Sequence, residues 1–169
     1  MPPPRLTERL RLEPITRAHA SDLLTLHTDE GVAQWYGARS ADDVQRFATD
    51  AERAWTTGGV HKWMAYDRAT GELVGRGGLS RVYVDGAQRL EVGWAVRDRF
   101  WGQGFASEIG RAALAFAFDD LDAEEVVAYT EPHNARSRAV MERIGMHYAR
   151  DITHEDTQFV LYLARRIHG

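Results

Sequence analysis

Residues 90–106 read LEVGWAVRDRFWGQGFA and decide the fold, because they join a predicted strand to a predicted helix. The strand prediction ends at Val96, and the helical pattern begins at about Phe105. A loop that enters a helix N-terminus presents backbone N–H groups without intrahelical partners, at the positive end of the helix dipole. Gly102 and Gly104 have no side chains and can adopt positive φ, so phosphate oxygens can approach the backbone. The stretch therefore predicts an anion site suited to a diphosphate.

A loop with two glycines can also serve a different purpose. An isolated pair of glycines often forms nothing more than a turn between a strand and a helix. A dinucleotide-binding fingerprint requires a third glycine, whereas residue 107 is Ser. A Walker A loop requires Gly-Lys followed by Ser or Thr, which this stretch does not contain. The position of the loop between a strand and a helix favours the anion site over these alternatives.

The segments on either side of the loop alternate between strand and helix patterns. Ser40 is predicted to cap the second helix, and Gly58-Gly59 is predicted to end it. The predicted order is a strand at 10–15, helices at 17–28 and 41–55, three antiparallel strands between 61 and 96, a helix at 105–118, a strand at 126–130, a helix at 134–144 and two final strands.

This order predicts a mixed α/β fold in a single domain, residues 1–169. We expect a central, mostly antiparallel sheet of about seven strands, flanked by about four helices. Prolines at positions 2, 3 and 4 cannot donate backbone hydrogen bonds, so residues 1–5 are predicted to form a flexible leader.

The composition is ordinary for a globular protein, with 44% hydrophobic and 27% charged residues. A net charge of -4 argues against a dedicated nucleic-acid binder. The absence of cysteine excludes disulfides, thiolate metal sites and a cysteine nucleophile. The histidines show no metal-binding spacing. No stretch is apolar and long enough for a signal peptide or a bilayer span, so a cytoplasmic location is expected.

Arg99-x-x-Gly102-x-Gly104, between its strand and its helix, resembles the R/Q-x-x-G-x-G/A acyl-CoA motif of the GNAT acetyltransferases. Three tracts, TERLRLEPIT at 7–16, FWGQGFASE at 100–108 and EPHNARSRAVMERIGM at 131–146, together resemble the ribosomal-protein N-terminal acetyltransferases of the RimJ/RimL type. The resemblance covers nearly the whole chain. It implies a metal-independent N-acetyltransferase that uses acetyl-CoA to acetylate a protein N-terminal α-amine or a small-molecule amine. Exposed strands near the C-terminus permit a homodimer.

The same resemblance implies where the cofactor binds. The strand before the loop would separate from its neighbour, so that backbone groups of Trp94, Ala95 and Val96 hold the pantetheine arm. Arg99 would lie near the phosphates, although an exposed, solvated arginine is an equal alternative. The residues implied around the diphosphate are Trp101, Gly102, Gln103, Gly104, Phe105 and Ala106.

The resemblance also implies residues near the thioester. Asn134 would bond the pantetheine in addition to capping its helix, and Ser137, one turn later, is the candidate general acid. Many GNAT enzymes have a tyrosine seven residues after this asparagine, but this chain has Met141, which cannot donate a proton. We therefore expect Ser137 to act mainly by hydrogen bonding to the sulfur, unless the thiolate leaves into water without assistance.

Glu91 is the candidate general base, acting through water, and is assigned with Ser137 to the catalytic residues. The alternative is a strand carboxylate paired with an arginine such as Arg89 or Arg76, which is the commoner role. Trp35 and Tyr36, predicted between the two early helices, could line the acceptor pocket or belong to the core. Because residue 141 is not tyrosine, a non-catalytic acyl-CoA-binding domain remains the alternative function, and a purely structural domain is the third.

Overall fold

The computed structural model describes residues 1–168, and these residues form a mixed α/β fold, as predicted. Short 3-10 turns lie at Arg17–His19 and Asp98–Phe100, and a π-helical turn at Phe116–Asp120 continues the fourth helix. The strands are β1 Arg5–Leu6, β2 Leu10–Pro14, β3 Lys62–Asp67, β4 Leu73–Val84, β5 Ala87–Val96, β6 Glu125–Thr130, β7 His147–His154 and β8 Thr157–Arg165. The helices are α1 Ala20–Thr28, α2 Glu30–Tyr36, α3 Ala41–Gly58, α4 Phe105–Ala115 and α5 Ala135–Arg143.

The strands form one sheet in the order β1-β2-β3-β4-β5-β6-β8-β7. Every neighbouring pair is antiparallel except β5 and β6, so the prediction of a mostly antiparallel sheet is confirmed. The sheet has eight strands rather than about seven, because the two-residue β1 pairs with β2. The parallel pair β5–β6 is joined at a single position, Glu91 opposite Val127. Beyond this position the two strands separate and open a cleft in the middle of the sheet.

Helices cover both faces of the sheet. On one face α4 places Ile109 against Trp94 and Val126, and on the other α1 and α3 bury Leu23 and Ala48 against the sheet. Both cores are formed by apolar residues that are at most 9% exposed. No helix within residues 1–168 is long and apolar enough to cross a bilayer.

The early helical region differs from the sequence prediction. One helix was expected at 17–28, but the chain forms a 3-10 turn, α1 and then the separate seven-residue α2. Asp29 starts α2 by accepting hydrogen bonds from the backbone N–H groups of Gly31 and Val32. Trp35 and Tyr36 therefore belong to the last turn of α2, where a connection was predicted.

The flexible leader predicted at residues 1–5 is shorter in the structure. Arg5 pairs with Leu12 in the sheet, and its guanidinium lies 2.9 Å from the carboxylate of Asp120. Arg5 is therefore part of β1, and only residues 1–4 precede the first strand.

Candidate active site

The loop before α4 has the backbone conformation that its glycines predicted. Gly102 and Gly104 have φ of 75° and 82°, in the left-handed region that other residues rarely adopt. Gly104 is the N-cap of α4, which begins at Phe105. The backbone N–H groups of the first turn of α4 have no intrahelical acceptor, so this end of the helix can bind an anion.

A cavity of about 390 Å³, the loop cleft, lies between this loop and α5. Arg136 and Arg143 of α5 contribute positive charge, and the Arg136 guanidinium lies 3.5 Å from the centre of the Trp101 ring. The cleft brings together six of the predicted cofactor residues: Val96, Trp101, Gly102, Gly104, Phe105 and Ala106. Its shape and charge suit a diphosphate.

Two of the residues predicted near the diphosphate, Arg99 and Gln103, lie outside the loop cleft. Arg99 pairs with Glu72 at 2.7 Å, and 56% of its side chain is exposed. In this structure the Arg99 side chain is thus paired with a carboxylate and partly exposed to solvent. Gln103 also lies outside the cleft. Its side-chain amide donates to the backbone carbonyl of Arg99 at 3.1 Å, and its backbone carbonyl accepts from the Arg9 guanidinium.

The open edge of β5 exposes part of its backbone. Arg97 N–H donates to the carbonyl of Val74 in β4, and backbone groups alternate along a strand. The carbonyls of Trp94 and Val96 consequently face away from β4, where they accept from the Tyr36 hydroxyl at 2.6 Å and from the Trp101 indole at 2.8 Å. The prediction of open backbone fits Trp94 and Val96, whereas the backbone of Ala95 faces β4.

A narrow cleft runs beside β5, and the start of α5 forms one of its walls. Asn134 is 8% exposed and caps α5, its side-chain oxygen accepting from Ser137 N–H at 3.2 Å. Its amide nitrogen donates to the hydroxyl of Thr130 at 3.1 Å. The Ser137 hydroxyl has no hydrogen-bond partner among residues 1–168 and borders the cleft. The capping role predicted for Asn134 is confirmed, and Ser137 has a free donor.

A second cavity, which we call the chamber, lies at the other end of this narrow cleft and measures about 430 Å³. Asn134 and Ser137 border both spaces, together with the open edge of β5 at Trp94. The chamber walls come from α2, β5, β6 and the β7–β8 turn. Residues whose side chains can contribute polar or aromatic contacts there are Trp35, Tyr36, Arg39, Glu91, Tyr129, Glu131, His154, Glu155 and Phe159.

Glu91 lies in the chamber wall within a buried ion pair. Its carboxylate accepts from the Lys62 ammonium at 3.0 Å and from the Ser80 hydroxyl at 3.2 Å. The side chains of Glu91 and Lys62 are 13% and 10% exposed, and burial lowers the pKa of Lys62. The predicted arginine partners are wrong, because Arg89 pairs with Glu125 and Arg76 makes no ion pair within residues 1–168.

The Lys62 partner was missed because it comes from β3, two strands away from β5. Lys62 lies opposite Gly78 of β4, and Gly78 lies opposite Gly93 of β5. A side chain at position 93 would meet the Glu91 carboxylate at 2.9 Å and the Lys62 nitrogen at 3.0 Å. Gly93 therefore provides the space in which the pair forms, a relation visible only once the strand register is known.

The loop cleft, the open edge of β5 and the chamber form a continuous path with a free hydroxyl at its centre. Such an arrangement is that of a group-transfer enzyme, in which two substrates enter from opposite ends. The family model for the acetyltransferase (GNAT) domain matches residues 9–147. The chain belongs to the GNAT family and is an acetyl-CoA-dependent N-acetyltransferase.

Individual relatives support this assignment. The uncharacterised protein YkkB of Bacillus subtilis is 30% identical over 159 residues, covering 93% of this chain and 92% of that protein. FsC-acetyl coenzyme A-N(2)-transacetylase of Aspergillus fumigatus is 31% identical over 92% of this chain and 67% of its own length. A solved GNAT-family acetyltransferase of Bordetella pertussis, 22% identical, shares the fold with a TM-score of 0.85 over 96% of this chain and 99% of that one.

Proposed function

We propose that this enzyme transfers an acetyl group from acetyl-CoA to a primary amine by direct attack within a ternary complex. The observation that carries the proposal is the meeting of the narrow cleft beside β5 with the chamber at Ser137 and Asn134, along the open edge of β5. Neither substrate then has to leave before the other enters, and no covalent enzyme intermediate is needed. The absence of cysteine in the chain agrees with direct transfer.

The residues of the loop cleft fit the cofactor. The left-handed Gly102 and Gly104 expose backbone N–H groups to a diphosphate, and Arg136 and Arg143 add positive charge opposite them. The pantetheine arm would follow the open edge of β5, where alternate backbone groups already bond side chains. The bound cofactor supplies an acetyl thioester, whose carbonyl carbon is the electrophile.

Ser137 would stabilise the departing sulfur. Its hydroxyl is free and lies at the junction of the cleft and the chamber, whereas Met141 lies in the chamber wall and is 2% exposed. A hydroxyl donor stabilises negative charge on sulfur without complete proton transfer. A free N–H on the open edge of β5 would polarise the thioester carbonyl in the same way.

Glu91 would accept the proton of the attacking amine through water, with Lys62 fixing the position of its carboxylate. An α-amine, with a reference pKa of ~8 against ~10.4 for lysine, needs only a weak base. The chamber can hold either the end of a peptide or a small molecule. The name of the Aspergillus relative specifies acetylation at N(2), which agrees with an α-amine acceptor.

Thermal unfolding with and without acetyl-CoA is the first test. At a hundredfold excess over Kd, a ligand specific for the folded state adds about 2.7 kcal/mol, equivalent to about 5–10 °C in a domain of this size. Release of CoA thiol is then followed across peptides and small amines, without background from protein cysteine. A rise in Tm without any turnover would favour the alternative, a non-catalytic acyl-CoA-binding domain. No rise at millimolar acetyl-CoA would refute both.

A further inference from the structure

Two arginines beside the chamber have no acidic partner. Arg39, between α2 and α3, lines the chamber, and Arg76 of β4 is buried at 4% exposure. Among residues 1–168 neither has a carboxylate oxygen within 4.0 Å. The only side-chain hydrogen bond of Arg76 among these residues runs from its Nε to His27 Nε2 at 3.4 Å, so four of its five guanidinium N–H donors have no protein partner there.

Tyr36 is close to Arg76 and shares the chamber lining with Arg39. The Arg76 guanidinium lies 5.2 Å from the ring centre of Tyr36 and 5.1 Å from that of Phe47, so it is held between α2 and α3. Tyr36 itself lines the chamber together with Arg39. Arg76 is therefore one layer below the chamber surface, with Tyr36 between it and the cavity.

The local charge is not balanced. Glu91 is the acid that faces this region, and Lys62 already holds it at 3.0 Å. His27 contributes no further charge near neutral pH, because burial and the charges of Arg76 and Arg39 lower its pKa to about 4. Burial of Arg76 without a counter-charge is costly, and the partly exposed Arg39 also lacks one, so the two arginines form an incomplete site for an anion.

Acidic residues lie elsewhere in the chamber, which separates the two signs of charge. Glu131 precedes α5 and Glu155 is in the β7–β8 turn, and both line the cavity. Neither approaches Arg39 within 4.0 Å. The chamber thus offers negative charge to an ammonium group and positive charge to an acidic one.

Building on the proposed function, we infer that the acceptor amine carries a carboxylate, which Arg39 binds directly while Arg76 adds the second positive charge behind Tyr36. A planar guanidinium matches a carboxylate through two parallel hydrogen bonds. A chamber of about 430 Å³ is within the usual range for a small-molecule site. The acceptor class is therefore an amino acid or a related amino-carboxylic acid rather than a peptide N-terminus, which has no carboxylate beside its amine.

Two matched pairs of acceptors, assayed by thiol release, test this inference. The first pair is an amino acid and its carboxamide. The second pair is phosphoethanolamine and ethanolamine. We expect the free amino acid to have a KM about tenfold or more below that of its amide. In Arg39→Gln this ratio should fall to within about twofold. Arg53→Gln removes the same charge from an exposed site on α3 and should keep the ratio.

Acetylation with equal KM for acid and amide would overturn the inference, as would a preference that survives Arg39→Gln. A larger advantage for phosphoethanolamine over ethanolamine would also overturn it, because the anion would then be a phosphate. Failure of the proposed function has a different signature: no thiol release from any amine, whatever its charge.

Discussion

The buried Lys62–Glu91 pair allows the stability and the chemistry of the chamber to be tested together. Lys62→Met should leave the Glu91 carboxylate nine-tenths buried with only Ser80 as a partner. Loss of one member of a buried pair costs about 3–5 kcal/mol, and exposures of 10% and 13% leave little screening by water. In a domain of this size that corresponds to a decrease in Tm of about 6–20 °C, measurable by calorimetry.

The double variant Lys62→Met/Glu91→Gln removes the unpaired charge. We expect its free energy of unfolding to return to within about 2 kcal/mol of the wild-type value, so the costs of the two single variants should be strongly non-additive. If Glu91 is the general base, thiol release should remain slow in this stable double variant. Single variants that each cost less than 1 kcal/mol and add independently would refute the buried-pair argument, and restored turnover would exclude Glu91 as base.

Three further outcomes follow from the site and the fold. Ser137→Ala should slow acetyl transfer about tenfold while leaving the Kd of acetyl-CoA within twofold, and an unchanged rate would exclude Ser137 from the mechanism. Gly104→Ala should weaken acetyl-CoA binding about tenfold and cost about 1 kcal/mol of stability, because alanine disfavours a φ of 82°. Its matched control is Gly59→Ala, which has a similar φ of 70° and open space around it, and which should lose stability without losing affinity. Burial lowers the pKa of both His27 and His61 to about 4, so between pH 6.5 and 4 the unfolded chain binds more protons. The free energy of unfolding should therefore decrease by about 2–4 kcal/mol as the pH falls through that range, and His61→Gln should reduce this decrease in urea titrations.

Local signals in the sequence were sufficient for most of the secondary structure. Ser40 caps α3 by accepting from Asp43 N–H, and Gly59 ends the same helix in the left-handed conformation. Gly102 and Gly104 likewise have the positive φ that a tight loop before a helix requires. Each of these features depends on residues within a few positions of one another, so it can be recognised without knowledge of the fold. The short helix α2 was missed because its seven residues are too few to show a helical period of apolar residues.

The contacts of the site could not be predicted in the same way. Glu91 was recognised as a residue of the cleft, but its partner Lys62 is 29 positions away and reaches it across a strand. Arg76 was considered only as a partner for Glu91, whereas it lies between two rings supplied by α2 and α3. Such relations depend on strand register and on which face of the sheet each helix covers. Neither is encoded in the spacing of a few residues.

The glycines of β4 connect the local sequence signals with the long-range contacts of the site. A run with Gly75, Gly77 and Gly78 is unfavourable for a strand when judged by propensity. At Gly77, however, a side chain would meet Ile109 of α4 at 2.6 Å and the backbone of β5 at 2.8 Å. Glycine thus lets α4 lie directly on the sheet, and the position of α4 sets the position of its N-terminal loop. The apparent weakness of β4 is therefore a requirement of the anion site, because a bulkier strand would move that helix end away from the open edge of β5.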